Sequence, residues 1–397
     1  MTVDKVLLAE PRGFCAGVEM AIKSLAWMVE LFDPPVYCYH DIVHNVAVVD
    51  VFEQAGVVFV DDVDAVPPGA PLMLSAHGTA PDVTARARGR AGTLIDAACP
   101  LVAKVHHELA TRASKGYDIV YVGHAGHDEA VGTMAVAPGS VHLVAGPGDV
   151  ARVPGSVGPV ALLSQTTLGI DEWAAVRAAV RQRFADVWMP ARSDLCFATT
   201  NRQTALSAIA DKVDSIIVIG SKTSSNTNAL ERVARQPGRA EVVRIETVED
   251  LAEGPELCGV IGVTAGASVP EQLVPEVLAH LDPVQGVETV AVTSEDEYFP
   301  LPAALRRHVP AGVLAADRQA KAGHALHRLD ARVRATREMP VEIGESRTVP
   351  GTGRHPGQGI AAADVGVGGS RVEHLPPTGT AVSSPVGEGL TCSLRGE

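Results

Sequence analysis

The sequence predicts an α/β protein in which three similar units with mostly parallel sheets surround a common centre. Short β-branched runs alternate with longer amphipathic stretches, as in strands joined by crossover helices. Polar clusters follow the strand runs, and three cysteines occupy similar strand-to-helix junctions. The alternation favours parallel pairing, and the repeated junctions favour three copies of one unit.

Seven apolar runs predict the strands. They contain few polar residues, which suits strands that are buried on both faces of a sheet. The runs are 6–9, 57–60, 72–75, 119–122, 162–164, 216–219 and 260–263. After the first run, apolar side chains recur at steps typical of a helix with one apolar side, at Val18, Met20, Ile22, Leu25, Met28, Val29 and Phe32. We therefore expect helices on both faces of each sheet.

Length and composition exclude several classes of protein. With 397 residues, the chain exceeds the roughly 100–200 residues of one domain, so two or three domains are expected. Charged residues make up 20% of the sequence, and no apolar run is long enough to span a membrane. The first residues lack the features of a signal peptide, so we expect a cytoplasmic protein. The net charge of −14 argues against general nucleic-acid binding, which needs a basic face.

Six polar clusters come just after apolar runs. In parallel sheets, ligands bind at the carboxyl ends of the strands. The clusters therefore predict one shared site, built by residues 43–45, 75–78, 123–129, 164–167, 221–226 and 264–268.

Three of the six cysteines stand at strand-to-helix junctions. Cys15, Cys99 and Cys196 are separated by nearly equal intervals, and Pro100 suits the first position of a helix. Helix N-termini favour negative charge, so three thiolates at such positions suit a central metal cluster. A cytosolic chain of this length keeps its cysteines reduced, which favours metal or redox chemistry over disulfides.

Two other interpretations of these cysteines stay open at this point. Each one taken alone is more often a buried core residue. Zinc is the second alternative, although the sequence lacks the C-x-x-C pairs that structural zinc sites usually have. Cys38 and Cys258 lie in or beside apolar runs and Cys392 lies in a Gly/Pro-rich tail, so we leave these three out of the site.

Residues 5 to about 295 resemble the 4-hydroxy-3-methylbut-2-enyl diphosphate reductase family, also called the LytB/IspH family. The resemblance is carried motif by motif, and the motifs together are highly specific. They are Pro-Arg-Gly-Phe-Cys-Ala-Gly at 11–17, Val-His-Asn at 43–45, Ser-Ala-His-Gly at 75–78, Asp-Ala-Ala-Cys-Pro-Leu-Val at 96–102, Gly-His-Ala-Gly-His at 123–127, Gln-Thr-Thr-Leu at 165–168, Cys-Phe-Ala-Thr-Thr-Asn-Arg-Gln at 196–203, Gly-Ser-Lys at 220–222, Ser-Ser-Asn at 224–226 and Val-Thr-Ala-Gly-Ala-Ser at 263–268.

The resemblance implies an iron–sulfur enzyme of the methylerythritol phosphate route to isoprenoids. Its cofactor would be one [4Fe–4S] cluster per chain with three protein ligands, Cys15, Cys99 and Cys196. The iron without a protein ligand can act as a Lewis acid towards the substrate's hydroxyl. The implied reaction is the reductive dehydroxylation of 4-hydroxy-3-methylbut-2-enyl diphosphate to isopentenyl and dimethylallyl diphosphate.

The same resemblance assigns the remaining site residues. Glu129 would be the acid, and Thr166 would relay or hold its proton, with Thr167 and Asn226 in support. The diphosphate would be bound by His44, His77, His127, Thr166, Thr167, Ser224, Ser225, Asn226 and Ser268. One departure is Asp128, because the family commonly has proline there; an extra carboxylate can shift the proton affinity of Glu129 or alter the loop.

The chain divides into five segments by these patterns. We expect a first α/β unit at 17–98, a second at 99–195, and a third formed by 1–16 with 196–299. Residues 300–344 are expected to hold a basic helix, for which the simplest interpretation is a solvated helix. The segment 345–397 is rich in Gly, Pro, Ser and Thr and is expected to be disordered.

Two rival functions use some of the same residues. A non-catalytic iron–sulfur sensor on the same fold would keep the cysteines but has no need for Glu129, Thr166 and the diphosphate donors together. A zinc-dependent phosphate-ester hydrolase would use histidines and a carboxylate. For the reductase, the expected electron donor is a ferredoxin or a flavodoxin, because the sequence has no nicotinamide or flavin motif in the right context. We expect no membrane or nucleic-acid partner.

Overall fold

The structure is a computed structural model that describes residues 2–155, 158–236 and 240–338, apart from the side chains of 313, 315 and 332–338. The tail for which disorder is expected, 345–397, lies outside the described residues. In chain order the strands are β1 (Val3–Glu10), β2 (Val36–Tyr39), β3 (Val57–Val60), β4 (Pro71–Leu74), β5 (Thr93–Asp96), β6 (Asp118–Val122), β7 (Val141–Val144), β8 (Val160–Ser164), β9 (Val187–Trp188), β10 (Ser215–Ile219), β11 (Glu241–Ile245), β12 (Gly259–Ala265) and β13 (Val287–Ala291).

The α-helices mostly connect these strands. They are α1 (Ala16–Leu31), α2 (Val46–Gln54), α3 (Pro81–Arg90), α4 (Pro100–Ser114), α5 (Asp128–Met134), α6 (Ile170–Arg183), α7 (Phe197–Ala210), α8 (Ser225–Ala234), α9 (Glu249–Ala252), α10 (Leu273–Leu281), α11 (Ala303–Arg306), α12 (Ala311–Ala316) and α13 (Ala322–Glu338).

Three separate parallel sheets confirm the predicted fold class. Two have four strands, in the orders β3-β2-β4-β5 and β7-β6-β8-β9, and one has five, in the order β11-β10-β12-β1-β13. Every strand pair in them is parallel. The central strands β8 and β10 are buried along their whole length, as expected for strands covered on both faces.

The three sheets share one strand order. If the strands of each four-stranded sheet are numbered along the chain, both sheets have the order 2-1-3-4. In the five-stranded sheet, β10, β11 and β12 repeat the 2-1-3 part, and the N-terminal strand β1 takes the fourth place. The order in which strands are added to the sheet reverses between strands 1 and 3, which is the switch point where open parallel sheets bind ligands.

All seven predicted strands are present, and six further strands are not among them. The additional strands are short or irregular in pattern; β2 is four residues long and contains two tyrosines, and β5 ends on Asp96. The predicted apolar helix is α1, in which Met20, Ile22, Leu25 and Met28 are buried. The boundaries proposed for the units stay a prediction; the sheets take their strands from 36–96, from 118–188, and from 3–10 together with 215–291.

The segment after β13 packs on α1. Three helices, α11 to α13, lie in the range for which one basic helix was predicted, and Leu305, Leu326 and Leu329 join the core that contains α1. The interpretation as a solvated helix is therefore wrong, because the part of α13 with described side chains buries Ala325, Leu326 and Leu329. Lys23 of α1 lies 3.5 Å from Asp317, and both side chains are buried. Within the described residues, no helix is both long and apolar enough to cross a membrane.

Candidate active site

One central cavity brings together all of the site residues predicted from the sequence. The three sheets meet around it, and each contributes side chains from its strand ends. Among the described residues, no lysine or arginine lines this cavity. The predicted residues that line it are Cys15, His44, His77, Cys99, His127, Glu129, Thr166, Thr167, Cys196, Ser224, Ser225, Asn226 and Ser268.

The shared strand order explains how each unit reaches the cavity. The polar residues follow the first and third strands of each sheet, where the order reverses: His127 and Glu129 follow β6, and Thr166 follows β8. The cysteines follow the strand in the fourth place, with Cys15 after β1 and Cys99 after β5. Each unit therefore supplies two polar loops and one thiol.

Each cysteine caps the N-terminus of a helix, as the sequence predicts. Cys15, Cys99 and Cys196 immediately precede α1, α4 and α7. The backbone N–H of each donates to a neighbouring loop of the site: that of Cys15 to the Ala267 carbonyl at 3.3 Å, that of Cys99 to Ala76 at 3.0 Å, and that of Cys196 to Thr166 at 2.9 Å. The thiols are thus tied to the loops that carry Ser268, His77 and Thr166.

The three thiols lie close to one another, as the ligands of one metal cluster must. A Cβ at Gly17 would lie 2.8 Å from the Cys99 Sγ and 3.9 Å from the Cys15 Sγ, so this glycine leaves room for both sulfurs. Burial and the neighbouring Cys15 thiol raise the pKa of Cys99 to about 12, and the N–H groups of Leu101 and Val102 oppose the shift. Burial and the other two sulfurs also raise the pKa of Cys196. Three crowded, partly buried thiols need a cationic centre to become thiolates together, so the set fits a cluster.

Glu129 is buried beside Thr166. Its Oε1 accepts a hydrogen bond from the Thr166 backbone N–H at 2.7 Å, and its Oε2 accepts one from the Thr166 hydroxyl at 2.9 Å. Burial raises the pKa of Glu129 to about 7, and the two Thr166 hydrogen bonds oppose the shift. A carboxyl group with this pKa can hold a proton near neutral pH and release it.

Three histidines lie against one another in the cavity wall. The rings of His44 and His77 are stacked with centroids 4.3 Å apart, and the His127 ring meets that of His44 edge-on at 5.4 Å. Burial lowers the pKa of all three, that of His127 to about 4, so without an anion they are neutral. The His127 Nδ1 accepts from the Glu129 N–H at 3.2 Å, which leaves the proton of the neutral ring on Nε2 as a donor.

Hydroxyl and amide groups form the third side, at the N-terminus of α8. Ser224 caps this helix by accepting from the Thr227 N–H, and Ser224, Ser225 and Asn226 at the start of the helix line the cavity. The Asn226 amide donates to the Thr199 hydroxyl at 3.2 Å and accepts from the Ala267 N–H at 3.0 Å. Ser268 donates its hydroxyl proton to the His44 carbonyl at 3.2 Å.

The extra carboxylate of Asp128 is not among the groups that shift the pKa of Glu129. The pKa of Glu129 is set by burial, Thr166 and Asp194, whereas Asp128 faces a pair of histidines. Its Oδ1 lies 3.1 Å from the His40 Nδ1, and its Oδ2 lies 3.6 Å from the His77 Nδ1. His40, which the sequence did not single out, has a φ of 57°, a left-handed conformation that is uncommon for histidine.

Arg202 positions two of the cysteine loops. It lies in the motif at 196–203, but the sequence predicts no role for it. Its guanidinium is fully buried and donates to the carbonyls of Gly13 and Phe14, just before Cys15, and to that of Ala198, just after Cys196. Its Nη1 also lies 3.0 Å from both carboxylate oxygens of Glu295. One side chain therefore holds two cysteine loops at a fixed separation.

Comparison with known families gives one match over most of the chain. A family model described as LytB protein matches residues 6–282. The 4-hydroxy-3-methylbut-2-enyl diphosphate reductase of Rhodopirellula baltica is 43% identical over 317 residues, which cover 77% of this chain and 97% of that protein. The enzyme of the same name from Mycobacterium ulcerans is 46% identical over 310 residues, covering 77% and 93% of the two chains.

Two solved structures that are similar to this chain are also of diphosphate reductases. The structure of the E-1-hydroxy-2-methyl-but-2-enyl-4-diphosphate reductase from Plasmodium falciparum has a TM-score of 0.72 and 33% identity, and the match covers 77% of this chain and 98% of that one. A structure of (E)-4-hydroxy-3-methyl-but-2-enyl diphosphate reductase, described as the terminal enzyme of the non-mevalonate pathway, has a TM-score of 0.51 and 27% identity, covering 70% and 99%.

Proposed function

The chain belongs to the LytB protein family, and we propose that its central cavity is the active site of a 4-hydroxy-3-methylbut-2-enyl diphosphate reductase. The reaction uses two electrons and two protons to remove the substrate's hydroxyl as water, and it yields isopentenyl and dimethylallyl diphosphate. The observation that carries this assignment is the convergence of three thiols, a buried carboxyl group and a set of neutral hydrogen-bond donors in one cavity.

The three thiols are proposed to hold a [4Fe–4S] cluster. Cys15, Cys99 and Cys196 would be its ligands, and when bound the cluster supplies electrons and a Lewis-acidic iron for the substrate's hydroxyl oxygen. Arg202 keeps the loops of Cys15 and Cys196 in register, while the backbone N–H of each cysteine fixes its helix start against a neighbouring loop. A small one-electron carrier, a ferredoxin or a flavodoxin, is the proposed donor, because the cluster passes electrons singly.

The neutral donors are proposed to bind the diphosphate. The Nε2–H of His127 and the first N–H groups of α8 can each donate to a phosphate oxygen. The hydroxyls of Ser225 and Ser268 can do so when they turn away from the Thr167 and His44 carbonyls to which they now donate. His44 and His77 are neutral without ligand, and the negative charge of a bound diphosphate raises their pKa towards protonation. Ser224, Thr167 and Asn226 complete this side of the cavity and keep α8 in place.

Glu129 is proposed to deliver the proton. With a pKa raised to about 7 it is about half protonated at neutral pH and largely protonated below it, and its two bonds to Thr166 fix the carboxyl orientation. The Thr166 hydroxyl can pass a proton from the Glu129 Oε2 to the substrate's hydroxyl, which would leave as water. Burial keeps bulk water away from this relay.

An anaerobic assay with defined metal content tests the function. The purified protein should contain iron and acid-labile sulfide, and with a strong one-electron reductant it should convert the hydroxylated C5 diphosphate to isopentenyl and dimethylallyl diphosphate. Stoichiometric zinc in place of iron would instead support a zinc-dependent hydrolase. A fully loaded protein that gives no product, together with a Glu129→Gln variant that behaves identically, would support a non-catalytic sensor and refute the proposal.

A further inference from the structure

A second set of metal-ligating side chains lies beside the proposed diphosphate site. His44, His77 and Asp128 each offer one ligand atom, and these atoms all lie within 4.8 Å of one another. His44 and His77 come from loops of the first sheet, whereas Asp128 is the first residue of α5 and follows a strand of another sheet. The three residues therefore meet only in the folded protein.

The carboxylate of Asp128 is oriented in a way that suits a metal ligand. His40 lies 3.1 Å from its Oδ1, and the other oxygen, Oδ2, lies on the side of His77 at 3.6 Å. A carboxylate that is hydrogen-bonded through one oxygen and free at the other is the usual arrangement around a protein-bound metal, because the outer partner fixes the ligand's orientation. The neighbouring Tyr39 ring stacks on His40 with centroids 4.0 Å apart and steadies that partner.

His44 supplies an independent observation. Its Nε2 is buried and has no hydrogen-bond partner among the described residues. A buried polar atom without a partner costs free energy that a bound ligand can recover.

We propose that His44, His77 and Asp128 form a binding site for a divalent transition metal, with zinc as its best-suited occupant. Two imidazoles and one carboxylate are a ligand set that zinc accepts, with a fourth position left for water. The charge also suits a dication, since the ligands contribute one negative charge and no cationic side chain lies among them. Asp128 is partly exposed and borders a surface pocket that also reaches His44 and His127, so an ion can enter from solvent.

Zinc at this site would exclude the substrate. This consequence rests on the proposed function, in which His44 and His77 donate to the diphosphate; an imidazole whose nitrogen binds zinc cannot donate from that nitrogen. The site would make the enzyme sensitive to free zinc without any contact between zinc and the cysteines. The residue that creates the sensitivity is Asp128.

Zinc binding to the cluster-loaded protein tests the site directly. The free zinc concentration is set with a metal buffer under anaerobic conditions, and bound zinc is measured together with iron, so that zinc which replaces cluster iron is recognised. We expect one zinc per chain with no loss of iron. Asp128→Asn and Asp128→Ser should each weaken zinc binding by at least about tenfold, because one of the three ligands is lost.

Asp118→Asn is the matched control. Asp118 also lies near a histidine, His142 at 3.9 Å, but that pair belongs to no three-ligand set among the described residues. This variant should bind zinc as the unmodified protein does. Equal zinc affinity in the Asp128 variants and the control would refute the site, whatever the activity. Zinc binding that depends on Asp128 but does not inhibit turnover supports the site, and it overturns the proposed role of His44 and His77 in diphosphate binding.

Discussion

Gly17 is the residue whose substitution separates cluster binding from folding. It is the second residue of α1, and an alanine there would place its Cβ 2.8 Å from the Cys99 Sγ, whereas ordinary contact begins near 3.4 Å. The sulfur must therefore retreat by about 0.6 Å. In the cluster-free protein a rotation of the short Cys99 side chain achieves this. A thiolate bonded to iron cannot move so far, because metal–ligand distances hold to about 0.2 Å.

We expect Gly17→Ala to fold normally and to lose its cluster. Alanine in place of a helical glycine stabilises a helix by about 0.5–1 kcal/mol, so the unfolding midpoint of the cluster-free protein should not fall. Displacement of a ligand at this scale should weaken cluster retention by about 10- to 100-fold, comparable to the loss of an outer-shell partner. The assay is iron and acid-labile sulfide per chain after anaerobic reconstitution, with the unfolding midpoint measured in parallel.

Gly89→Ala is the matched control for this substitution. Gly89 also lies within a helix, α3, but it is exposed and a Cβ there would meet no atom within 4 Å. This variant should bind as much iron as the unmodified protein. If Gly17→Ala retains the same iron and sulfide as Gly89→Ala, the thiols do not hold the cluster in the arrangement that we propose.

Three further substitutions test the acid, its partner and the clamp on the cysteine loops. Glu129→Gln cannot release a proton, so turnover should fall by about 10²- to 10⁴-fold with unchanged iron content, and an unchanged rate would contradict the role of Glu129 as acid. The protonated acid is lost as pH rises through the raised pKa of about 7, so the turnover of the unmodified enzyme should decline above that pH. Thr166→Val removes a hydrogen bond that lowers the pKa of Glu129, so the decline should move to higher pH in steady-state rates; a shift to lower pH would count against the pairing. Glu295→Ala leaves the buried Arg202 without its counter-charge and should lower the free energy of unfolding by about 3–5 kcal/mol, measured with denaturant. The control Glu288→Ala changes an exposed residue and should cause no measurable loss of stability. Equal unfolding midpoints for the two variants would refute the role of Arg202 in holding the cysteine loops.

The sequence predicts the parts of this protein that depend on local pattern. Strands such as β8 and β10 are found because burial on both faces requires continuous apolar runs, and the cysteine junctions are found because Pro100 and the alternation of runs mark a helix start. The four-residue strand β2 is missed because its two tyrosines interrupt the continuous apolar run that marks the equally short β3. The Arg202 clamp is not predictable, because its partners Gly13 and Glu295 lie 189 and 93 residues away along the chain. The pairing of Asp128 with His40 depends in the same way on two loops that only the fold brings together.

Because β1 pairs with β12 and β13 in the five-stranded sheet, this sheet can form only late in synthesis. Strand β1 and Cys15 are synthesised first, but their sheet neighbours β12 and β13 end at Ala265 and Ala291. At about 5–20 residues per second, Cys15 waits roughly 15–60 s for the strands that position it. The sheets that precede Cys99 and Cys196 can form during that interval, while Cys15 still lacks the strands that position it. Insertion of the proposed cluster would therefore follow synthesis of nearly the whole catalytic region, and until then oxidants and free metal ions can reach the Cys15 thiol.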